Sequence, residues 1–272
     1  MIADILVNIA GDKVDFESLM GPGVDPHLYK ATQGDLKKLN NADIIFYTGL
    51  HLEGKLQDIF EKLSLKKRVH AVTENIHDSR FIIVENDLND EVLYDPHFWF
   101  DIELWAEAVD VVNQVLIEAQ PSLEASVSQA ANLYKQKLKN LQEKVKKGMA
   151  SILPADNRII ITTHDAFHYL GRAHNIEVKA LQGVSTVAEF GLKDISNLVN
   201  VIIKRKVKSI FVENSVSSKA IQSVIKGCKD KGYEVNMGGT LYADALGDKN
   251  GPAGSYIKMI EYNLETIIKG LK

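Results

Sequence analysis

The sequence contains a single cysteine, Cys228, among its 272 residues. One thiol excludes an intrachain disulfide, and it also excludes the thiolate clusters that hold many structural metal ions. A metal ion in this chain would therefore be bound through nitrogen and oxygen atoms. Histidine and carboxylate side chains supply those atoms, so their positions along the chain decide whether such a site is plausible.

Long apolar segments and an excess of positive charge are missing as well. No run approaches the roughly 18 apolar residues of a membrane-spanning helix, and the first residues show no basic-then-apolar export signal. With 32 basic and 36 acidic residues, the formal net charge is −4, which offers no basic footprint for nucleic acid. The composition, 45% hydrophobic and 25% charged, is typical of a globular chain with one or two domains.

Two common catalytic motifs are also missing. The turn at Gly21 and Gly23 is not followed by Gly-Lys-Ser/Thr, so it is not a phosphate-binding loop. Ser185 and Thr186 have no Ser-His-Asp pattern around them, so nucleophilic catalysis by these hydroxyls has no support.

Strands and helices alternate through most of the chain, which predicts an α/β fold with parallel sheets and helices on their faces. We expect two (β/α) lobes joined by one long helix, with lobe boundaries at residues 1–120 and 154–272 and the connecting helix within 121–153. The predicted strands are 14–20, 42–48, 68–72, 158–163, 177–181, 209–213 and 233–237, and the predicted helices include 1–10, 32–39, 52–63, 102–119, 166–174, 192–205, 219–231 and 254–270.

The segment between residues 122 and 152 predicts the long helix. It contains no proline, and its only glycine, Gly148, lies near the end. Apolar residues recur along it at steps of three and four, and most of the charged residues fall between them. A coiled-coil arm is the alternative interpretation, but strand-helix patterns on both sides favour a helix that connects two lobes.

The tripeptide Asp-Pro-His occurs twice, at Asp25 to His27 and at Asp95 to His97. Proline fixes its own φ and forces the preceding residue into an extended conformation, so both motifs should lie in stiff turns. A histidine presented from a stiff turn suits a metal site that must be organised before the metal arrives. The alternative is that the two tripeptides are coincidental turn sequences.

Two further residues extend this pattern to a possible metal site. His164 follows a predicted buried strand, where ligands of open parallel sheets bind, and Asp244 lies in a loop that leads into a helix. His27, His97, His164 and Asp244 would form a closed shell of three imidazoles and one carboxylate if the two lobes faced each other. A chelate between His164 and His168, spaced i, i+4, is the rival arrangement.

Several segments together resemble the metal-binding receptors of ABC importers, of the TroA/ZnuA type. They are GPGVDPHLYKATQGD, ADIIFYTGLHLEGK, DPHFWFD, TTHDAFHYLGRAHNIEVKALQGVST and LYADALGD, and they follow one another over nearly the whole chain. The resemblance implies two lobes joined by one long helix, with a metal ion bound by His27, His97, His164 and Asp244. It also implies an export signal and a first strand at the N-terminus; because neither is present, we expect Met1 to be an internal methionine of a longer, exported chain.

The resulting prediction is an extracytoplasmic receptor, periplasmic or lipid-anchored, that captures one Zn²⁺ or Mn²⁺ ion as cargo, with Fe²⁺ ranked behind both. It would deliver the ion to an ABC transporter permease, act as a monomer, catalyse no reaction and bind no nucleic acid. A metal-dependent hydrolase that uses the same His/Asp cluster is the alternative. Behind the metal ligands, Glu213 and Glu189 are candidate acceptors for imidazole N–H groups, or are merely structural.

Overall fold

The computed structural model describes residues 1–84, 92–152 and 158–272. The chain forms two compact units, Met1–Leu141 and Gln142–Lys272. Helices and short parallel strand pairs build both units, which confirms the predicted α/β class with two lobes. Within the described ranges, no helix combines the length and the apolar character that crossing a membrane requires.

In the first unit, strand β1 pairs in parallel with β2, and β3 pairs with β4 in the antiparallel direction. Helix α2 and strand β1 contribute Leu39 and Ile45 to a core that also contains Leu56 and Phe60. The elements are α1 (Ile2–Ile9), α2 (Gln33–Asn41), β1 (Ile44–Tyr47), α3 (Gln57–Ser64), β2 (Arg68–Ala71), β3 (Ile83–Val84), β4 (Leu93–Tyr94) and α4 (Ile102–Ala119).

The start of α2 follows from its sequence. The Thr32 hydroxyl accepts a hydrogen bond from Asp35 N at 3.2 Å, and the Asp35 carboxylate accepts one from Thr32 N at 2.8 Å. This reciprocal pair satisfies backbone N–H groups that a helix start otherwise leaves without partners. Tyr29 also donates to Asp35 at 2.8 Å, so the cap fixes the chain that follows His27.

The predicted strand at residues 14–20 is wrong, because this segment is irregular in the structure. Its alternating residues matched the strand pattern, but among the residues that the structure describes β1 pairs with β2 alone, and this segment joins no sheet there. The segment instead leads into the turn at Gly21 and Gly23, where Gly23 adopts φ 70°.

The long helix is present as α5 (Glu124–Ala150) and begins in the first unit and ends in the second. In the first unit, Tyr134 OH donates to Asp4 Oδ2 of α1 at 3.0 Å. The predicted apolar stripe is buried, at Val127, Ala131, Tyr134, Leu138, Leu141, Val145 and Met149. The prediction of 121–153 as a separate connecting part remains a prediction, and its end at 153–154 lies outside the described residues.

In the second unit, β5 pairs in parallel with β6, and β7 pairs in parallel with β8, while β5 and β7 lie side by side. The core consists of apolar side chains from the strands and from α7 and α8, including Ile161, Ile202, Ile210 and Val224. The elements are β5 (Ile159–His164), α6 (His168–His174), β6 (Glu177–Gln182), α7 (Leu192–Arg205), β7 (Ser209–Glu213), α8 (Lys219–Asp230), β8 (Asn236–Leu241) and α9 (Tyr256–Leu271).

The predicted strand at 233–237 is displaced, because β8 covers Asn236–Leu241 and continues through the glycine pair at 238 and 239. A register shift between Ile210 and Phe211 places Gly238 at an irregularity of the β7–β8 pairing. A Cβ on Gly238 would lie 2.6 Å from Phe211 Cε1, so glycine is required for the strand to pass this buried ring.

Candidate functional site

His97, one of the two Asp-Pro-His histidines, is completely buried and is held by Asp95. The Asp95 Oδ1 atom accepts hydrogen bonds from His97 N at 2.9 Å and from His97 Nδ1 at 2.7 Å. The two side chains have no solvent exposure. Because a carboxylate can only accept, it favours the tautomer with the proton on Nδ1 and leaves the Nε2 lone pair of His97 for another partner.

The second Asp-Pro-His histidine, His27, presents its ring to the same place. Asp25 Oδ1 accepts a hydrogen bond from His27 N at 2.9 Å, which repeats the backbone contact that Asp95 makes. The His27 Nε2 atom lies 3.4 Å from His97 Nε2, and the side chain of His27 is buried. The first unit therefore presents two imidazole nitrogens side by side.

An aromatic group lies behind these imidazoles. The Trp99 ring meets the His97 ring edge-on, with 5.2 Å between the ring centroids. Phe98, Trp99 and Phe100 are all buried and follow His97 directly in the sequence. They exclude water from this side of the histidine pair, and the lower dielectric strengthens electrostatic interactions with a bound cation.

In the second unit, His164 ends strand β5 and is held by Glu213, which ends strand β7. The Glu213 Oε1 atom accepts hydrogen bonds from Thr163 N and His164 N, both at 2.8 Å. The Glu213 Oε2 atom forms a very short contact with His164 Nδ1. As with Asp95 and His97, a buried carboxylate fixes the imidazole orientation and leaves Nε2 to face outward.

Asp244 supplies the neighbouring oxygen in the second unit. Its Oδ2 atom lies 3.3 Å from His164 Nε2, and neither side chain is exposed to solvent. Asn214, next in sequence after Glu213, accepts a hydrogen bond from Ala243 N and donates one to Ala245 O. The backbone on both sides of Asp244 is thereby attached to the end of β7.

The charge on His164 follows from this environment. Burial by itself lowers the pKa of the imidazole, but the attraction of Asp244, followed by that of Glu213, outweighs it. The net effect holds the pKa of His164 well above its ordinary value. In the absence of a cation, the second unit therefore favours an imidazolium between two carboxylates.

The remaining candidates of the sequence lie elsewhere. Glu189 is exposed and makes no hydrogen bond or ion pair within the described ranges, so its predicted role stays a prediction. His168 Nε2 lies 3.0 Å from Asp165 Oδ1, so His168 and His164 face different carboxylates. Of the other histidines, His70 contacts Glu74 at 2.9 Å and His77 contacts Ser79 at 2.9 Å.

Sequence reasoning missed two residues of this arrangement. Asp95 was interpreted only as a turn residue, although an aspartate two positions before a histidine can reach both its backbone and its ring. The repeated Asp-Pro-His motif was therefore a usable signal for this contact. Asn214 had no such signal, because its contacts join residues about thirty positions apart.

The two pairs of candidate ligand atoms have a common spacing. The nitrogen pair in the first unit is 3.4 Å apart, and the nitrogen–oxygen pair in the second is 3.3 Å apart. A tetrahedral ion with bonds of about 2.0–2.1 Å has ligand atoms about 3.3–3.4 Å apart. Each pair thus has the spacing of one edge of such a tetrahedron.

A comparison with a family model and comparisons with individual proteins point to the same group of metal-binding proteins. The family described as "ZnuA: Zinc-uptake complex component A periplasmic" matches residues 1–270. The chain is 44% identical over 271 residues to the manganese-binding lipoprotein MntA of Bacillus subtilis (strain 168), covering 100% of this chain and 87% of that protein. It is 42% identical over 271 residues to the zinc-binding protein TroA of Treponema pallidum (strain Nichols), covering 100% of this chain and 86% of that protein.

A solved structure gives the same result at the level of the fold. The structure of the periplasmic zinc binding protein TroA from Treponema pallidum superimposes with a TM-score of 0.95 and 41% sequence identity. The match covers 100% of this chain and 96% of that one. The likeness therefore extends over both units and the long helix.

Proposed function

Because the chain belongs to the ZnuA family, the zinc-uptake complex component A proteins, we propose that it is the receptor that captures a divalent transition metal for an ABC importer. The observation that carries this proposal is the spacing of its ligand atoms. Each unit offers two buried donor atoms separated by one edge of a metal-sized tetrahedron. Relatives named as a manganese-binding lipoprotein and a zinc-binding protein add independent support.

The proposed ligands are His27, His97, His164 and Asp244, which together bind one ion. Neither half suffices alone, because two donors leave a transition metal with open positions that water would fill. Three nitrogens and one oxygen complete a tetrahedral shell. Glu213 would hold the His164 imidazole through Nδ1, while a role for Glu189 stays a prediction from the sequence.

Zinc is the ion that this donor set fits best. Imidazole-rich tetrahedral sites suit Zn²⁺, whereas Mn²⁺ prefers more oxygen ligands, and intrinsic affinity rises from manganese to zinc. We therefore expect tighter binding of Zn²⁺ than of Mn²⁺ in vitro. Manganese stays open as the ion carried in the cell, because metal availability there can override affinity.

The proposed place of action is outside the cytoplasm, as a monomer that meets a membrane permease. Relatives named as lipoproteins or as periplasmic proteins support this location. Membership in an uptake-complex family supports the permease as partner. Deleting the gene should reduce uptake of the cargo metal by the host, whereas an adhesin without a transport role would leave uptake unchanged.

The alternative is a metal-dependent hydrolase that uses the same residues. A catalytic zinc keeps one coordination position for water, whereas four protein ligands fill the shell. We therefore expect tight equilibrium binding of Zn²⁺ without turnover of esters or phosphoesters. Hydrolysis that is lost in His97→Ala would instead establish the enzyme.

A further inference from the structure

The two units carry formal charges of opposite sign. Residues 1–141 contain 13 basic and 23 acidic residues, which gives a net charge of −10, whereas residues 142–272 contain 19 basic and 13 acidic residues, which gives +6. A charge separation of this size attracts an anionic partner to one part of the molecule and repels it from the other. The second unit is therefore basic although the whole chain has a net charge of −4.

Six exposed lysines lie where helices α7 and α8 of the second unit end. They belong to the last turns of the two helices and to the connections that follow, and they form the basic edge: Lys204, Lys206, Lys208, Lys226, Lys229 and Lys231. Repulsion between like charges opposes such clustering. A cluster that is kept despite this repulsion points to a partner of opposite charge.

Hydrogen bonds bring the two connections together. Tyr233 OH, beyond α8, donates to Val207 O, beyond α7, at 2.9 Å. Asn236 N donates to Lys208 O at 2.9 Å, where the parallel strands β7 and β8 begin. Lys208 Nζ donates to Lys272 O at 2.9 Å, which brings one more lysine to this end of the sheet. The basic edge is therefore one continuous surface of the second unit.

Nearby negative groups offset only part of its charge. Asp230 and Glu234 lie on the connection after α8, and the neighbouring Arg205 is paired with Glu177. Each of the two helix ends adds about half a negative charge through its dipole. With two acids and two helix ends set against six lysines, an excess of about three positive charges remains.

We propose that the basic edge is a docking surface for an anionic phospholipid bilayer. This inference rests on the proposed place of action, because the permease that the receptor would meet is embedded in a bilayer. Anionic headgroups present many negative charges in one plane, and each lysine close to that plane strengthens binding. The acidic first unit is repelled by the same surface, so the protein should bind through its second unit.

Strand β7 separates the basic edge from the candidate ligands. Lys208 directly precedes this strand, and Glu213, which holds His164, is its last residue. The five residues of β7 span about 15 Å. Docking through the basic edge would therefore leave His164 and Asp244 uncovered, and we expect vesicle binding and Zn²⁺ binding to be independent.

Co-sedimentation with lipid vesicles tests the proposal. One set of vesicles contains equal parts of phosphatidylglycerol and phosphatidylcholine, and vesicles of phosphatidylcholine alone are the neutral reference. The test variant removes four lysines whose side chains make no hydrogen bond or ion pair within the described ranges, by Lys204→Gln, Lys206→Gln, Lys226→Gln and Lys229→Gln. The matched control removes four exposed lysines of the first unit, by Lys37→Gln, Lys55→Gln, Lys62→Gln and Lys66→Gln.

Wild-type and control protein should sediment with the anionic vesicles, and added salt should weaken this binding because it screens the charges. Each lysine near an anionic surface strengthens binding about fivefold, so the test variant should bind about 100-fold more weakly. Zn²⁺ affinity should be the same in all three proteins. Both variants change the net charge equally, so a loss confined to the test variant supports the basic edge.

Four results would overturn the proposal. They are equal losses in the test variant and the control, equal binding of wild-type protein to neutral and anionic vesicles, no binding to either, and binding of a short DNA duplex as tight as that of the vesicles. The last result would identify a general polyanion surface instead of a lipid surface. If wild-type protein binds no Zn²⁺, the proposed function fails, and sedimentation still decides the role of the basic edge.

Discussion

His97 donates its Nδ1 proton to Asp95 Oδ1 across 2.7 Å, and neither side chain is exposed to solvent. The same oxygen accepts from His97 N, so ring and backbone are fixed by one carboxylate. Carboxylates in this position orient metal-binding imidazoles and increase their basicity. Asp95 should therefore contribute to metal affinity although it does not face the ion.

Removing this carboxylate gives the first prediction. In Asp95→Ala, the Zn²⁺ affinity should fall by about 10–100-fold, because His97 loses its fixed orientation. In Asp95→Asn the Zn²⁺ affinity should fall less than in Asp95→Ala, because the amide oxygen can still accept a hydrogen bond from His97 Nδ1. Competition titration against a chelator measures both changes.

Glu53→Gln is the control for loss of a buried carboxylate in the same unit. Glu53 is also buried, and its Oε1 atom accepts from Thr48 N at 2.9 Å. This variant should change stability and leave Zn²⁺ affinity as it is. Equal losses of affinity in Asp95→Ala and Glu53→Gln would show that Asp95 acts through stability alone.

The raised pKa of His164 gives the second prediction. In metal-free protein at pH 7, this imidazole should carry a proton that the ion must displace. We expect about one proton released per Zn²⁺ at this pH and an affinity that falls as the pH is lowered. Calorimetric titration in buffers with different ionisation enthalpies counts the proton. Proton-free binding at pH 7 would contradict a protonated His164.

Stability of the metal-free protein should depend on pH in the opposite sense. The folded-state pKa of His164 is raised above its unfolded value, which is about 6.5. The resulting stabilisation is fully present below the unfolded pKa and is lost as the pH rises through the folded pKa. In Glu213→Gln, both the pH dependence and the number of released protons should decrease. Thermal unfolding across this pH range provides the check.

The close approach of Gly238 to Phe211 gives the third prediction. Gly238→Ala would place a methyl group 2.6 Å from a buried ring, and we expect a loss of about 1–3 kcal/mol in unfolding free energy. Gly183→Ala is the control, because a Cβ there meets nothing within 4 Å. Denaturant unfolding should show a lower midpoint for the first variant only; equal midpoints would contradict the packing argument.

Some elements of the second unit could be located from the sequence, whereas others could not. Helix α7 and strand β7 were predicted with their observed bounds, 192–205 and 209–213. Both carry strong apolar periodicity, and their ends are set by local sequence. Strand β8 was misplaced because its glycines signal a turn locally, whereas the bulge beside Phe211 accommodates them in the sheet.

The same distinction applies to the candidate site. The candidate ligands His27, His97, His164 and Asp244 could be selected from sequence motifs, because histidine and aspartate are chemically distinctive and their positions have a proline or strand-end signal. The contacts of Asn214 with the backbone around Asp244 depend on how β7 lies against a distant loop. Asparagine also occurs in many turns, so its sequence position alone could not indicate this role.

The hydrogen bond between Tyr134 and Asp4 gives the fourth prediction. Tyr134→Phe removes the hydroxyl that donates to Asp4 Oδ2 at 3.0 Å. Because this hydrogen bond is buried, its loss should lower the free energy of unfolding by about 1–3 kcal/mol. Tyr47→Phe is the control, since the Tyr47 hydroxyl makes no hydrogen bond within the described part of the chain. Equal unfolding free energies for the two variants would contradict a stabilising role for the contact.

We propose that His27, His97, His164 and Asp244 bind a single ion together. The most direct test is to measure the Zn²⁺ bound per chain, and its affinity, in wild-type protein and in His97→Ala and Asp244→Ala. These substitutions remove one donor from each unit. The account predicts one tightly bound ion per wild-type chain and loss of tight binding in each variant. Two ions per wild-type chain, or tight binding retained in either variant, would contradict it.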